Sequence, residues 1–403
     1  MRVVIAHNYY GSDSPSGENI VFENEVELLR SRGHLVETFI RSNDQILNQG
    51  LLGKAIGGMS AMWSFSAIRE LGKLVNKFKP DIFHAHNTFP LISNAVFSAS
   101  NIRCARILTL HNYRIFCAAG TPLRNRQICT ECLDKGSVLP ALQHSCYRQS
   151  LVATVPLAGS IALHRYLGTW TRKVDGFIAL SEFQKSQMVG AGLPGDKVSV
   201  VANYVSDSGA CLPWYERGSY AVVVGRLSRE KGVFTLCQAW KRWGSDAPEL
   251  RVIGDGPEKS SLESIARGTQ VRLVGRLSRE EVMRHISKAR LLIFPSETLE
   301  GFPLSIVEAM SVGTPVAVSD LGGLPTIVKN GHCGLVFRAG DPESILEKVR
   351  SAWSDDLLLK RLGDSGYREF QDKYTEESHY RSLLHVYNEA LGRFCGNLEK
   401  INS

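Results

Sequence analysis

Short apolar runs alternate along the chain with longer segments of helical period. In the first half these runs lie at residues 3–6, 35–40, 81–85, 106–110, 176–180 and 198–201. A second series lies at residues 220–224, 250–253, 271–274, 290–294, 315–318 and 335–337. Such alternation is typical of α/β folds, in which helices connect the buried strands of a parallel sheet. The pattern therefore predicts two doubly wound, Rossmann-like domains.

A stretch without clear period, residues 203–218, separates the two series. We place the first domain at residues 1–205 and the second at residues 206–375, followed by a C-terminal helix at residues 376–403. Ligands of doubly wound sheets bind beyond the carboxyl ends of the strands. Two such sheets facing each other would place a ligand site in the cleft between them.

Composition agrees with an ordinary globular protein of two domains. The chain has 403 residues, of which 43% are hydrophobic and 22% are charged, so no disorder is implied. Its start, MRVVIAHNYYG, has the short apolar run of a first strand and not the longer one of a secretory signal. The longest apolar stretch, residues 151–163, is too short to span a bilayer. A cytoplasmic protein is predicted.

Basic residues are concentrated in the first half of the chain, whose surplus accounts for the net charge of +7. Residues 51–150 contain 12 Lys and Arg against 4 Asp and Glu. This balance favours an anionic partner such as a phospholipid surface or a lipid phosphate, although a solvated basic face would also explain it. The apolar segment 151–170 that follows lies against either the core or a membrane. No nucleic-acid-binding motif accompanies the charge, so no nucleic-acid partner is expected.

The most informative stretch is FPSETLEGFPLSIVEAMSVGTPV, residues 294–316. A buried strand is predicted to end at Pro295, and a polar loop with Glu297 and Glu300 follows it. Glu308 comes eight positions after Glu300, inside the helix that the pattern predicts next. Two acids on either side of a strand-to-helix turn can serve one ligand with two parts, such as the hydroxyls of a sugar and those of a ribose.

The same stretch contains a predicted anion site at its helix start. Pro303 stands where a first-turn proline opens a helix without losing a useful N–H donor, and the helix should run to about Val312. The N–H groups near Leu304 and Ser305, together with the positive end of the helix dipole, favour a bound anion.

The second domain opens with YAVVVGRLSREKG, which predicts a strand, a glycine turn and a helix start. Arg226 and Lys231 place two cations beside the N-terminus of that helix. This arrangement is suited to holding a pyrophosphate.

These motifs together resemble glycosyltransferase family 4, the retaining, nucleotide-sugar-dependent enzymes with the GT-B fold. Glu300 and Glu308 match the E-x7-E signature with its flanking words PSE, EGF, EAM and GTPV, and GRLSREKG matches the family's GRL-x-x-EKG. The resemblance covers nearly the whole second domain and parts of the first. It implies a GT-B architecture in which the C-terminal helix, residues 376–403, returns to pack on the first domain.

The resemblance implies roles for these residues. Glu308 would hold the ribose, Glu300 the sugar hydroxyls, and Arg226 and Lys231 the leaving diphosphate. The backbone beside the sugar and phosphates would be that of Gly301, Phe302, Pro303, Leu304 and Ser305. The chain contains no Asp-x-Asp motif, so the leaving group is expected to be stabilised by these cations and helix N–H groups, without a metal or other cofactor for catalysis.

In the first domain, His111 in TLHN matches the family histidine near the donor sugar and the acceptor. Gly17 lies in the first strand-to-helix loop, where the family approaches a phosphate, although only half of the family's usual glycine pair is present. His84 and His86 form a possible metal pair, but no third ligand follows at a suitable spacing.

Four cysteines cluster within an insertion at about residues 113–150, which resembles one found in a subset of these transferases. Cys129 and Cys132 have the two-residue spacing of a zinc site, which Cys117 and Cys146 would complete. We predict one structural zinc here. Four buried thiols, two disulfides or replacement of one cysteine ligand by His144 would also explain the residues.

The sequence therefore predicts a hexosyltransferase-like enzyme that moves a sugar, with retention, from a nucleoside diphosphate sugar to an acceptor. The acceptor is predicted to be a lipid-linked glycan in bacterial-type polysaccharide or glycolipid synthesis, with the enzyme in the cytoplasm and peripheral at the inner face of the membrane. The alternatives are a nucleotide-sugar epimerase and an inactive GT-B protein that binds a sugar nucleotide. The motifs do not name the base, the sugar, the linkage or the oligomeric state.

Overall fold

The computed structural model describes residues 1–11, 16–47, 49–99, 103–206 and 211–402. Residues 207–210 of the predicted linker lie outside the described ranges. The chain divides into two compact units. The first contains Met1–Pro122, Cys129–Asn203 and His379–Ser403, and the second contains Leu123–Ile128 and Tyr204–Ser378.

The strands follow the predicted apolar runs closely. They are β1 (Arg2–Tyr9), β2 (Leu35–Ser42), β3 (Ile82–Asn87), β4 (Ala105–Leu110), β5 (Leu123–Arg124), β6 (Gln127–Ile128), β7 (Gly176–Ala179), β8 (Val198–Val200), β9 (Tyr220–Val224), β10 (Glu249–Ile253), β11 (Val271–Gly275), β12 (Leu291–Phe294), β13 (Val316–Ser319) and β14 (Gly334–Phe337). All pairs are parallel except the short hairpin of β5 and β6.

Helices connect most of these strands. They are α1 (Gly17–Ser31), α2 (Asp44–Leu47), α3 (Gly50–Met62), α4 (Phe65–Phe78), α5 (Glu131–Asp134), α6 (Leu139–Gln143), α7 (Leu151–Tyr166), α8 (Glu182–Gly190), α9 (Val233–Trp243), α10 (Lys259–Ala266), α11 (Arg279–Lys288), α12 (Leu304–Ser311), α13 (Leu324–Val328), α14 (Pro342–Trp353), α15 (Asp356–Lys373) and α16 (Glu376–Asn402).

The first unit is organised around a parallel sheet of order β2-β1-β3-β4-β7-β8. The side chains of Val3, Val4 and Ile5 on β1 are fully buried, as expected for a strand covered by helices on both faces. The strand order changes direction between β1 and β3, which is where doubly wound sheets bind ligands.

Helix α7 has one face in a core cluster with Ala118, Cys132 and Ala141 and another in solvent. Leu157 and Ile161 are buried, whereas Leu151, Val152 and Val155 are exposed. The predicted segment 151–170 therefore packs on the core but leaves an apolar strip uncovered.

The second unit has a six-stranded parallel sheet of order β11-β10-β9-β12-β13-β14. Its core is formed by buried side chains of β9, β10, β12 and β13 and of the helices beside them, with Trp240 of α9 as the largest fully buried side chain. The two parallel sheets confirm the predicted class of two Rossmann-like domains. Among the described residues, no helix has the length and apolarity needed to cross a bilayer.

Candidate functional site

The strongest candidate site lies at the carboxyl edge of the second sheet, where the strand order reverses between β9 and β12. β9 ends at Val224 and leads to Arg226, whereas β12 ends at Phe294 and leads to the loop with Glu300. A parallel doubly wound sheet opens a crevice for ligands at this point, because the two connections leave in opposite directions.

Lys231 and Glu300 form the central ion pair of this site. The Lys231 ammonium lies 2.8 Å from Glu300 Oε1 and 3.0 Å from Oε2. The Ser296 hydroxyl donates a further hydrogen bond to Oε1 at 2.6 Å. These donors fix the orientation of the carboxylate, although 30% of the Lys231 side chain stays exposed. The two residues predicted for separate parts of the ligand therefore contact each other.

Backbone and hydroxyl contacts hold the loop after β12 in place. The Glu297 N–H donates to the Glu230 carbonyl at 2.8 Å, and the Ser319 hydroxyl donates to the Ser296 carbonyl at 2.6 Å. The first contact ties the loop to the segment after β9, and the second ties it to the end of β13. Glu300 is thus positioned by three neighbouring strand ends.

Gly232 allows the closest approach within the site. It has a φ of +67°, and a Cβ at this position would lie 1.8 Å from the Pro295 carbonyl oxygen. An L-residue would be strained by the left-handed conformation and would also overlap the oxygen. The glycine in the motif EKG therefore lets the start of α9 pack against the strand end that leads to Glu300.

Arg226 and the start of α12 supply further groups for an anion. Arg226 is exposed, so its guanidinium is accessible to a ligand. Helix α12 begins at Leu304, so Pro303 precedes the helix, one position earlier than predicted, and no side chain of the described residues caps this start. The backbone N–H groups at Leu304 and Ser305 then follow Gly301 and Phe302, which are half-buried.

Glu308 is buried in the second turn of α12. Burial raises the pKa of its carboxyl, and the positive charge of Arg279 offsets part of that effect. A carboxylate removed from water loses hydration that a pair of ligand hydroxyls would replace. The position is compatible with a hydroxyl-binding role, which stays a prediction.

His111 belongs to the first unit and follows β4. Its Nε2 lies 3.0 Å from Nδ1 of His86. Burial lowers the pKa of His111 well below its ordinary value, and positive charge at His86 and His7 would lower it further. The ring is therefore neutral at physiological pH. It lines a pocket whose polar side chains include Asn94 and Arg114.

Gly17 is the first residue of α1 and follows Ser16, whose hydroxyl accepts a hydrogen bond from the Glu18 N–H at 3.2 Å. The preceding residues 12–15 lie outside the described ranges. A phosphate contact at Gly17 stays a prediction.

The four cysteines of the insertion differ in exposure. Cys117 and Cys132 are buried, Cys129 and Cys146 are partly exposed, and no disulfide bond links these described residues. Burial raises the pKa of Cys117, and raises that of Cys132 to about 11, which favours the thiol over the metal-binding thiolate. The thiols are not among the described groups of three metal-binding atoms within 4.8 Å of one another. Zinc at these residues stays a prediction.

Sequence reasoning missed two residues that the structure makes central. Ser296 orients Glu300, and a hydroxyl directly after a buried strand was the available signal. Glu25 is 2% exposed and lies beside His84 and His86. It occupies a position of the apolar stripe of α1, where a charged residue is rarely buried without a partner.

Two family models match the chain. Residues 211–369 match the model described as Glycosyl transferases group 1, and residues 15–208 match that described as Glycosyltransferase Family 4. The two matches follow each other along the chain, one in each half.

Similar proteins agree with these matches. The putative teichuronic acid biosynthesis glycosyltransferase TuaC of Bacillus subtilis (strain 168) is 24% identical over 316 residues, which are 76% of this chain and 70% of that protein. The sulfoquinovosyl transferase SQD2 of Arabidopsis thaliana is 25% identical over 312 residues, or 74% of this chain and 55% of that protein. An uncharacterised glycosyltransferase of Methanocaldococcus jannaschii is 32% identical over 180 residues, which are 43% of this chain and 50% of that protein. The chain thus spans between half and 70% of the length of these relatives.

Solved structures share the fold. Sucrose-phosphate synthase from Thermosynechococcus elongatus has a TM-score of 0.69 at 16% identity, over 97% of this chain and 99% of that chain. HepE of Anabaena in complex with UDP-glucose has a TM-score of 0.66 at 16% identity, over 96% of this chain and 99% of that chain. These likenesses establish the GT-B architecture.

The packing of Gly232 on Pro295 generates a prediction with a matched control. Gly268 has a similar φ of +72°, but a Cβ there would meet no atom within 4 Å. Gly268→Ala should cost about 1 to 2 kcal/mol of unfolding free energy, from conformation alone. Gly232→Ala should cost at least about 3 kcal/mol, because the Pro295 carbonyl must also move. Urea unfolding measures both, and equal losses would contradict the close approach.

Proposed function

We propose that this chain, whose two Rossmann-like domains are those of a GT-B glycosyltransferase similar to family 4, transfers a sugar from a nucleoside diphosphate sugar to an acceptor. The Lys231–Glu300–Ser296 arrangement at the β9/β12 edge is the observation that carries the proposal. It joins a cation suited to a phosphate and an oriented carboxylate suited to hydroxyls in one site.

Charge accounts for the role of each group. Cleavage of the donor leaves negative charge on the diphosphate, and Lys231, Arg226 and the uncapped start of α12 are positive groups that stabilise it. An incoming phosphate competes with Glu300 for the Lys231 ammonium. Glu300 is then available to accept hydrogen bonds from the sugar, still positioned by Ser296.

Glu308 completes donor binding in this proposal by accepting hydrogen bonds from the ribose hydroxyls. The neutral ring of His111 suits the role near the sugar that the family resemblance gives it. The family resemblance supports a retaining reaction, in which the leaving phosphate assists attack on the face it departs from. The HepE structure contains UDP-glucose, so UDP-sugars are the first donors to test.

A lipid-linked acceptor at an anionic membrane surface is supported by the exposed strip on α7. Leu151, Val152 and Val155 are 52%, 84% and 47% exposed, and exposed Arg148 precedes them. Helix α3 packs against α7, since a Cβ at Gly58 would lie 3.3 Å from Pro156, and its Met59 is 67% exposed. Apolar side chains flanked by basic ones suit an anionic interface.

Transfer itself is tested by incubating the purified chain with nucleoside diphosphate sugars and membrane lipid extract. We expect release of nucleoside diphosphate, labelled lipid product and an unchanged anomeric configuration by NMR.

Arg226→Ala and Lys231→Ala should each reduce turnover at least about tenfold, which corresponds to a loss of about 1.4 kcal/mol of transition-state stabilisation. Brief EDTA treatment should leave turnover unchanged.

Exposed Arg267→Ala is the matched control for these two variants. Donor epimerisation without transfer would identify an epimerase, and donor binding without turnover a binding protein. Activity lost on chelation and restored by magnesium or manganese would contradict stabilisation by the two cations.

Glu308→Gln should weaken nucleotide binding without lowering the stability of the fold. Because burial raises the folded-state pKa of Glu308 above its unfolded value, its ionisation destabilises the fold as pH rises past the unfolded pKa. The variant should therefore unfold at an equal or higher temperature at pH 7. Its affinity for nucleotide should fall by about 1 to 3 kcal/mol. Calorimetry and thermal melts measure both, and unchanged affinity in the folded variant would refute the ribose role.

Membrane binding is tested by sedimentation with liposomes with and without anionic lipid. Wild-type protein should prefer anionic vesicles and dissociate with salt, because exposed charges are screened within about 8 Å at physiological ionic strength. Val152→Ser with Val155→Ser should weaken binding at least about tenfold, since burial of each valine contributes about 1.5 kcal/mol or more. Leu357→Ser, at an 81% exposed leucine of the second unit, is the control. Equal binding to both vesicle types would remove the electrostatic argument.

A further inference from the structure

The first unit contains a buried cluster of one carboxylate and three imidazoles, which the proposed transfer does not use. Glu25 of α1 lies beside His84 and His86 of β3 and His379 of α16, and all four are at most 5% exposed. Glu25 Oε1 is 2.9 Å from His84 Nδ1 and 3.1 Å from His86 Nε2. Glu25 Oε2 is 3.4 Å from His379 Nε2.

The cluster places a carboxylic acid among imidazoles inside the protein. An ionised acid in an apolar interior is costly unless a positive charge accompanies it.

The outer nitrogen of each imidazole already has a partner. His84 Nε2 is 2.8 Å from the Thr109 hydroxyl, and His86 Nδ1 is 3.0 Å from His111 Nε2. His379 Nδ1 is 2.8 Å from the Ala202 carbonyl, which only accepts, so this nitrogen carries a proton. Metal-binding histidines typically have their second nitrogen hydrogen-bonded in this way, with the inner nitrogen directed at the ion.

The spacing of the inner atoms also suits a metal. Zinc bonds to histidine nitrogen and carboxylate oxygen are about 2.0 to 2.2 Å, which places neighbouring ligands of a tetrahedral ion about 3.3 to 3.6 Å apart. Glu25 Oε1 lies 2.9 and 3.1 Å from the two imidazoles of β3, so a small outward shift of these side chains would reach that spacing. The metal-binding atoms of Glu25, His84 and His86 all lie within 4.8 Å of one another.

We propose that Glu25, His84 and His86 bind one zinc ion in the core of the first unit. Two histidine nitrogens and one carboxylate oxygen favour zinc over magnesium or calcium, which need more oxygen ligands. The ion would compensate the charge of Glu25 and join α1 to β3. The competing arrangement is a metal-free hydrogen-bonded cluster, in which the Tyr387 hydroxyl, 2.9 Å from His84 Nδ1, occupies that nitrogen.

The zinc content and ligand shell of the full chain distinguish the two arrangements. The protein is purified without a histidine tag and measured by elemental analysis and zinc X-ray absorption. Cys129→Ser with Cys132→Ser removes the separately predicted cysteine site, so zinc in that variant reports the buried cluster. We expect about one equivalent, with nitrogen and oxygen neighbours and no sulfur. Less than a tenth of an equivalent, or a sulfur shell, would overturn the proposal.

A matched pair of variants on α1 locates the ion. Glu25→Gln should lose the zinc, whereas Glu27→Gln, at an exposed position of the same helix, should keep it. If Glu25→Gln does not fold, the site is tested instead by substituting cobalt for zinc in the variant that carries Cys129→Ser and Cys132→Ser. A tetrahedral cobalt spectrum without thiolate bands supports the site, and the absence of bound cobalt rejects it. None of these readouts uses transferase activity, so they are independent of the proposed function.

The tautomer of His111 provides a second readout. A zinc ion on His86 Nε2 leaves the proton on Nδ1, which donates to His111 Nε2 and places the His111 proton on Nδ1. In a metal-free cluster with a neutral His86, the Nε2–H group donates to Glu25, so His86 Nδ1 accepts from His111. Nitrogen NMR shifts distinguish these states, and a protonated His111 Nε2 would contradict bound zinc.

Discussion

The hydrogen bond from Glu297 N–H to the Glu230 carbonyl is the contact on which the second unit's site depends. Glu230 belongs to the segment after β9 and Glu297 to the loop after β12, so this bond fixes two chain segments that are far apart in sequence. Gly232 brings the same segments together at Pro295, where a side chain would not fit. The ion pair of Lys231 and Glu300 follows from that backbone arrangement, because neither long side chain holds a single orientation by itself.

The charged groups singled out in the two units differ in their exposure to solvent. In the second unit, Lys231 is partly exposed, so pairing with an anion would have a modest desolvation cost. In the first unit, Glu25 and its histidines are buried and satisfied by fixed neighbours, an arrangement that resists change. One set is suited to exchange partners during a reaction, and the other to hold helices and strands together.

The apolar pattern predicted the strands well, because continuous apolar runs are the direct signature of buried parallel strands. Residues 220–224 coincide with β9, and residues 250–253 lie within β10. Motif spacing singled out Glu300, Lys231 and Arg226 as candidate site residues. It did not show that Lys231 and Glu300 touch, since that depends on β9 and β12 being adjacent in the sheet. Strand order is a tertiary property that local periodicity does not encode.

The same limit explains why His84 and His86 lacked a visible third ligand in the sequence. Their partner Glu25 comes from α1, before β3 in the chain, whereas a search for metal motifs looks for ligands at short spacings. Pro303 illustrates a smaller limit, because its extended ψ of 115° places it just before the helix. Proline fixes φ but leaves ψ to its surroundings.

The division of the chain has a consequence for synthesis on the ribosome. The first unit includes the segment from His379 onward, which supplies His379 and Tyr387 to the cluster around Glu25 and His84. The sheet of the second unit is translated in full before that segment emerges. The sheet of the first unit is therefore synthesised well before the segment that completes the surroundings of Glu25, because the second unit is translated in between. Nascent chains stalled before residue 379 should expose this half of the molecule to chaperones and proteases, although it was translated first.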